Sequence, residues 1–548
     1  MGANGPPTEG GDRPGWVDRL LGPEAWPHPV GEVKLVETHI SWVFLTGPYA
    51  YKVKKPVKLE FLDFSSLERR RHFCEEEVRL NRRFAPSLYL EVVPIGGTPE
   101  APCVGGTVAN AGAFEWAVKL VQFDETLRLD ALFDAGRLTA ADCTRLGDEI
   151  ARVEATLDRA DPAPGYGTPD RLRAVFAMNL GEIRRHRPDQ TGRADAIAGW
   201  LEGRLDRDRE AFLARIARGK IRECHGDLHL ANIVLLGGRP VAFDSIEFNP
   251  ELRWIDVASD VAFLSMDLES RGRADLAAHV TSAWMEGADD HAAAVVLPVH
   301  RVARAVVRAA VAAIRGAQVD CPPTARARAR ADVGRYLDLA ERLMRPAAPV
   351  MVVVSGVSGS GKSTLALEAV GRLGAMRLRS DVERKRLAGM APADRPDGPA
   401  AVASLYAPEA TRQVYDRLAG LARGLLRAGT SVVVDATANE RRQRATLAAA
   451  ARDAGTPLVW LEIDLPEAVV VERVETRRRA GDDPSDATAA VVRAQLASRE
   501  PIGADELAPA GTPPVRHVRV GAAELADPGR LFAPITALFP GAPPEDSR

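Results

Sequence analysis

Between positions 33 and 53 short runs rich in Val, Phe, Trp and Tyr are broken at Thr46, Gly47 and Pro48, a pattern that predicts three antiparallel strands joined by tight turns. The period then changes. Phe73, Leu80 and Phe84 recur at helical spacing, predicting a helix capped by Ser65 and reaching about Phe84. Two further extended stretches, 89–95 and 114–123, complete a small α+β lobe over about 30–125. Helical patterns dominate 139–220, a strand and loop stretch covers 221–248, and 255–344 is helical again, giving a large lobe over about 126–345. Arg, Pro and Ala at 345–349 form a linker. Beyond it the apolar runs 351–355, 431–435 and 458–464 alternate with helical patterns, which predicts a parallel sheet covered on both faces. The expected organisation is a domain over 30–345 and an α/β domain over 349–540, between flexible tails at 1–29 and 541–548.

Composition narrows the classes. With 46% hydrophobic residues in 548 the chain fills packed cores, yet no apolar run approaches the ~18 residues that span a bilayer, so no membrane partner is expected. A net charge of −3 gives no global basic field for nucleic acid. The segment 1–29 is rich in Gly and Pro without an apolar stretch, so no secretory signal is expected. Five scattered cysteines without a CxxC pair argue against a disulfide framework or a zinc knuckle and point to the cytoplasm. Of the 72 basic residues nine are Lys and the rest Arg. Where Lys survives, a compact ammonium is the more useful cation.

The strand 351–355 runs into GVSGSGKST, which fits GxxxxGK[ST]. Glycines let successive backbone N–H groups turn toward one anion at a helix N-terminus, so Gly356, Ser358, Gly359, Ser360, Gly361, Lys362, Ser363 and Thr364 form the expected ATP-binding loop. Lys362 reaches the β- and γ-phosphates and the Ser363 hydroxyl binds magnesium. The run SVVVD ends in Asp435, a Walker B-type carboxylate for the same ion. No Asn-Lys-x-Asp and no LSGGQ is present, so GTPases and transporter ATPases recede.

In the first half, HGDLHLAN places Asp227 and Asn232 five apart, the spacing of a protein-kinase catalytic loop, and Asp244 follows at the end of an apolar run. In that chemistry Asp227 orients the acceptor hydroxyl while Asn232 and Asp244 hold magnesium. His225 and His229 lack metal-ligand company and read as supports of the loop. Asp256 and Asp260 brace that loop or cap the next helix. Arg301, Arg304 and Arg308 form a stripe at helical spacing that suits either an acidic acceptor or a solvated face.

These motifs carry two resemblances. HGDLHLAN with Asp244 resembles the aminoglycoside phosphotransferase and choline kinase-like family, which implies an α+β, protein-kinase-like bilobal fold and a phosphate-gripping lysine on the third strand paired with a helix glutamate. Ala50, Tyr51, Lys52 matches the lysine position with Lys54 as its rival, and Glu76 is taken from Glu75, Glu76 and Glu77 as the partner. The chain departs from the kinase pattern in having ETHISW where a glycine-rich loop is usual, so Ser and Thr hydroxyls stand in as phosphate cover. The loop 356–364, RSDVERKRL from Arg379, the DAT from Asp435 and ERVETRRR from Glu472 resemble the small P-loop kinases that include zeta toxins, gluconate kinases and the kinase half of polynucleotide kinases. That resemblance implies Asp381 as base toward the acceptor and Arg473, Arg477 and Arg478 as a phosphate clamp. As a pair the halves resemble bifunctional aminoglycoside phosphotransferase-like/ATP-binding proteins. The implied activity is ATP- and magnesium-dependent transfer of phosphate to a hydroxyl of a small molecule, with a nucleic-acid end still open for the second half. The alternative is that one half senses nucleotide, or acts as a toxin-like unit, and controls the other.

Overall fold

A computed structural model describes residues 13–59, 62–105, 112–161, 163–319, 321–345, 348–392, 394–480, 488–507 and 513–537, with side chains at all of these but 59, 399 and 477–480. Packing groups the chain into two compact units that alternate along the sequence. Met1–Asp142, Arg152–Asp267 and Val299–Ala340 form the first, and Cys143–Ala151, Leu268–Pro298 and Glu341–Arg548 the second.

The first unit opens on a six-stranded antiparallel sheet. Its strands are β1 (Lys34–Glu37), β2 (Ser41–Leu45), β3 (Tyr49–Lys54), β4 (Tyr89–Thr98), β5 (Ala101–Val104) and β6 (Glu115–Val121), in spatial order β1-β2-β3-β6-β4-β5. Alternation gives each strand two faces. On one face Trp42, Phe44, Tyr51 and Val53 pack with Val17, Leu20 and Trp26. This corrects the expected tail at 1–29: residues 13–29, including helix α1 (Gly15–Arg19), belong to the lobe. Val17 and Leu20 are fully buried, worth about 1.5–3 kcal/mol each, which offsets the ordering cost of a Gly/Pro-rich segment. Residues 1–12 and the expected tail at 541–548 lie outside the described residues.

The other face is covered by α2 (Leu67–Asn81). Its cap is Ser66, which accepts from Arg69 N–H, one residue later than expected, because the Ser65 hydroxyl is spent on Asp63 at 2.6 Å. The rest of the unit holds the hairpin β7 (Ile233–Leu236) and β8 (Arg239–Ala242) and the helices α3 (Val257–Ser270), α5 (Leu297–Ala317) and α6 (Pro323–Met344). Helix α4 (Ala274–Gly287), between α3 and α5 in sequence, packs in the second unit.

The second unit is a five-stranded, wholly parallel sheet in the order β10-β11-β9-β12-β13, with β9 (Met351–Ser355), β10 (Met376–Arg379), β11 (Val432–Asp435), β12 (Leu458–Ile463) and β13 (Val515–Val520). The three apolar runs are its three central strands. The two edge strands escape sequence inspection because MRLR and VRHVRV carry charges. Helix α4 lies against β10, where Ser282 Oγ accepts the Arg377 N–H at 2.9 Å and so covers part of an open edge. From β9 the chain builds β10 and β11 on one side and then crosses to β12 and β13 on the other, so β9 borders the reversal of strand order where such sheets bind ligands at their strand C-termini. Among the described residues no helix is long and apolar enough to cross a membrane.

Candidate functional site

In the first unit, alternation along β3 points Lys52 and Lys54 at α2. Lys52 Nζ lies 2.9 Å from Glu77 Oε1 and 2.5 Å from Asp244 Oδ1. Lys54 Nζ takes the other Glu77 oxygen at 2.8 Å and pairs with Glu247. The helix partner is therefore Glu77 and not the expected Glu76. At 100° per residue Glu77 falls on the buried stripe with Arg70, Cys74 and Asn81, while Glu76 turns outward and binds Arg79 at 2.8 Å. Both lysines share Glu77, but Lys54 is closed off between two carboxylates at 1% side-chain exposure, whereas Lys52 is 15% exposed. Lys52 is the one placed to meet a ligand. Burial works against its charge, and Asp244 and Glu77 outweigh this, holding the ammonium well above the ordinary lysine range.

The HGDLHLAN loop is wired into the fold through its backbone. Asp260 accepts from His225 N–H and Gly226 N–H at 2.7 and 3.0 Å, so it braces the loop, while Asp256 pairs with Arg215 and accepts the Ala258 N–H at the start of α3. His225 Nε2–H donates to the Phe243 carbonyl at 2.9 Å and Nδ1 accepts the Asp227 N–H at 3.3 Å. Only the neutral ring makes both bonds, and burial pushes its pKa down. Asn232 Nδ2 donates to the Asp227 carbonyl and carboxylate at 3.0 and 3.1 Å, leaving its amide oxygen to offer a cation. Asp244 holds a left-handed φ of 64°, fixed by the bonds of its own N–H to Tyr89 Oη and of Ser245 N–H to Asn81 Oδ1. The charge of Asp227 is felt at Asp244, so the loop and the later aspartate converge. Thr38, in the ETHISW turn, uses its hydroxyl on the Ile40 and Ser41 N–H groups, so it closes the turn and is not turned toward a phosphate. The donors fit magnesium, which takes one or two carboxylates and completes its shell with phosphate oxygens and water. Among the described residues no three His, Cys, Asp or Glu gather into a richer metal cluster.

In the second unit the loop after β9 turns at Gly356, Gly359 and Gly361, with φ of 146°, 82° and 100°, and feeds α7 (Lys362–Leu373). A Cβ at Gly359 would lie 2.4 Å from Val474 Cγ2, so only glycine fits. Lys362 Nζ donates to the Val357 carbonyl at 2.9 Å, curling over the loop. Asp435 ends β11 beside Lys362 and Ser363; burial raises its pKa, and those two groups pull it back. Ser360 Oγ is buried without a hydrogen-bond partner among the described residues. That orphan hydroxyl in a glycine cradle, backed by a cation and a Ser–Asp pair, suits a magnesium-bound polyphosphate. Asp381 sits exposed in the first turn of α8 (Ser380–Leu387), and its charge acts on Asp435. Arg473, on α9 (Glu467–Ala480), donates to the Ser360 carbonyl at 3.3 Å. The side chains of Arg477 and Arg478 lie outside the described residues.

Three groups of this unit carry no sequence signal. Gln495 on α10 (Ala489–Ala497) accepts the Ser358 N–H at 2.7 Å. Glu286, in the last turn of α4, binds Arg379 immediately before α8, while Asp289 binds Arg417 at 2.8 and 2.9 Å. All three are tertiary partnerships between distant segments, which no local spacing encodes.

A family model described as an AAA domain matches residues 351–502. The uncharacterized proteins Rv2004c of Mycobacterium tuberculosis (strain H37Rv) and Mb2027c of Mycobacterium bovis are each 31% identical over 480 residues, covering 86% of this chain and 92% of theirs. Among solved structures, a choline/ethanolamine kinase family protein from Mesorhizobium loti is 13% identical with a TM-score of 0.32, covering 57% of this chain and 92% of its own. A sugar kinase from Janibacter sp. is 21% identical with a TM-score of 0.26, covering 36% of this chain and 96% of its own.

Proposed function

The chain belongs to the family of the mycobacterial protein Rv2004c, and we propose that it is an ATP- and magnesium-dependent phosphotransferase with two nucleotide sites, each passing phosphate to a hydroxyl of a small molecule. The observation that carries this reading is Lys52 held between Glu77 and Asp244, in the same unit as an Asp227–Asn232 pair whose charge reaches Asp244. At the first site Lys52 grips the phosphates, Asn232 and Asp244 hold magnesium, and Asp227 orients the hydroxyl and receives its proton. At the second, the backbone of 356–364 and Lys362 cradle the phosphates, Ser363 and Asp435 hold magnesium, Asp381 faces the acceptor, and Arg473, Arg477 and Arg478 clamp the moving group. Magnesium, when bound, neutralises the β- and γ-oxygens. Five free thiols and the need for ATP support a cytoplasmic setting.

The test is ATP turnover in Asp227→Ala, Lys362→Ala and the double variant. Two independent kinases leave each single variant with the other site's turnover and the double variant with none. A second reading, nucleotide control of the first site by the P-loop, is favoured by one feature: α4 is joined directly in sequence to α3 and α5 yet packs with the P-loop sheet. It predicts that Lys362→Ala changes the turnover that depends on Asp227.

A further inference from the structure

The acceptor of the first site is the open term in the reading above, and the inference here rests on that reading. Arg301, Arg304 and Arg308 project from α5 at helical spacing, and the structure removes the solvated-face alternative. The Arg304 side chain is 12% exposed. Its Nε donates to the carbonyl and hydroxyl of Ser259 at 3.3 and 3.2 Å, its terminal amino group donates to the Gly226 carbonyl at 3.0 Å, and the guanidinium lies 4.8 Å over the Phe263 ring. Gly226 precedes Asp227, so this arginine is anchored at the catalytic loop. Arg308 Nε donates to Tyr336 Oη at 3.3 Å, its one hydrogen bond among the described residues, which leaves both terminal amino groups of the fork to offer a ligand. Arg304 feels the charge of Asp260 and then of Asp227, and Arg308 that of Asp267 and then of Asp227, so both arginines lie within the field of the catalytic aspartate. Burial pushes Arg301 down to about 10, the mark of a cation short of solvent.

Nearby carboxylates already hold other donors, Asp260 in addition to its 3.9 Å ion pair with Arg304. Asp260 holds the His225 and Gly226 N–H groups, Asp267 accepts the Leu230 N–H at 3.2 Å, and Asp256 forms a two-pronged pair with Arg215 at 2.5 and 2.7 Å. A cationic alcohol approaching Asp227 meets guanidinium groups in a poorly hydrated setting, where like charges repel strongly. An anion finds a planar fork that matches carboxylate or phosphate geometry.

We propose that the first site phosphorylates an anionic hydroxyl compound, whose carboxylate or phosphate is received by Arg308 within the field of Arg301 and Arg304 while its hydroxyl meets Asp227. In the transfer the hydroxyl oxygen bonds to the γ-phosphorus, the bond to the bridging oxygen breaks, ADP leaves with that electron pair, and the hydroxyl proton passes to Asp227.

The experiment uses the full chain carrying Lys362→Ala, with ADP release measured on glycerate and gluconate, glycerol 3-phosphate and glucose 6-phosphate, their neutral parents glycerol and glucose, and the cations choline and ethanolamine. We expect at least one acidic compound to raise ADP release about 10-fold or more over its neutral parent, with the carboxylate and phosphate arms deciding which anion is read. Arg308→Lys, which keeps the charge but loses the fork, then raises the KM for that compound about 10-fold while kcat stays within about threefold; a variant that merely loosened the fold would lower kcat as well. Equal or better stimulation by the neutral or cationic compounds overturns the proposal, as does an acid-dependent activity indifferent to Arg308. If no compound stimulates while Asp227→Ala abolishes basal ATP hydrolysis, the proposal falls and the site reading stands. If basal hydrolysis ignores Asp227, the site reading itself falls.

Discussion

Glu76 and Glu77 differ by one position and by almost everything else. The run EEE told the reader that α2 carries a carboxylate for Lys52 but not which, because three consecutive residues sweep through 200° of the helix. The buried stripe at Arg70, Cys74, Glu77 and Asn81 decides it, and its outer members are polar, so hydrophobicity alone did not reveal the stripe. Glu77→Gln leaves two buried ammonium groups undercompensated, and we expect ATP affinity at the first site to fall about 10-fold or more. Glu76→Gln, which loosens Arg79 and Arg253 while both keep Glu223, leaves it within about twofold; titration with ATP in the Lys362→Ala background compares them. A second residue concerns pH. His300 is 2% exposed against Phe212, and burial lowers its pKa from 6.5 to about 4. The unfolded chain takes up a proton near 6.5 that the folded chain refuses, so stability present above that value is lost as pH falls through 4, to the extent of about 3 kcal/mol. His300→Phe keeps the ring and removes the titration. Denaturation midpoints recorded from pH 7 to 4 are expected to fall less steeply in the variant, and an unchanged slope refutes the assignment.

Among the elements, the phosphate loop and the HGDLHLAN loop were legible because their chemistry is contiguous: each packs its donors into nine residues or fewer. The edge strands β10 and β13 were not, since one lies under a helix drawn from far upstream and both carry arginines where a buried parallel strand usually shows aliphatics. The lobe's N-terminal cover was also hidden, because Gly and Pro dominate its composition while a few buried side chains hold it. The loop itself gives a sharp mechanical test. Gly359→Ala meets both an unfavourable φ of 82° and Val474, so we expect nucleotide binding at the second site to fall about 10-fold or more. Adding Val474→Ala relieves the clash but not the backbone strain, and calorimetric titration of ATP should show partial recovery. Full recovery or none would contradict this division of causes.

At the scale of the whole molecule, the linker at 345–349 is the boundary any reader of the sequence draws, and the packing does not respect it. Ser282, Glu286 and Asp289 lie before that linker and serve β10, Arg379 and Arg417. A fragment of residues 349–548 therefore lacks the cover of its edge strand and leaves Arg379 without its carboxylate. We expect that fragment to melt well below the P-loop unit of the full chain and to bind ATP weakly, with a synthetic peptide of residues 268–298 restoring part of the stability; thermal denaturation with and without ATP checks both. The same arrangement reaches into synthesis. Ribosomes deliver a chain from its N-terminus, and units tend to fold as they emerge, so α4 leaves the ribosome before any strand of the sheet that will receive it exists. Until β10 follows, a helix buried along nearly its whole length has no permanent seat, so synthesis between Pro298 and Arg379 is the interval in which this helix stands open to a chaperone.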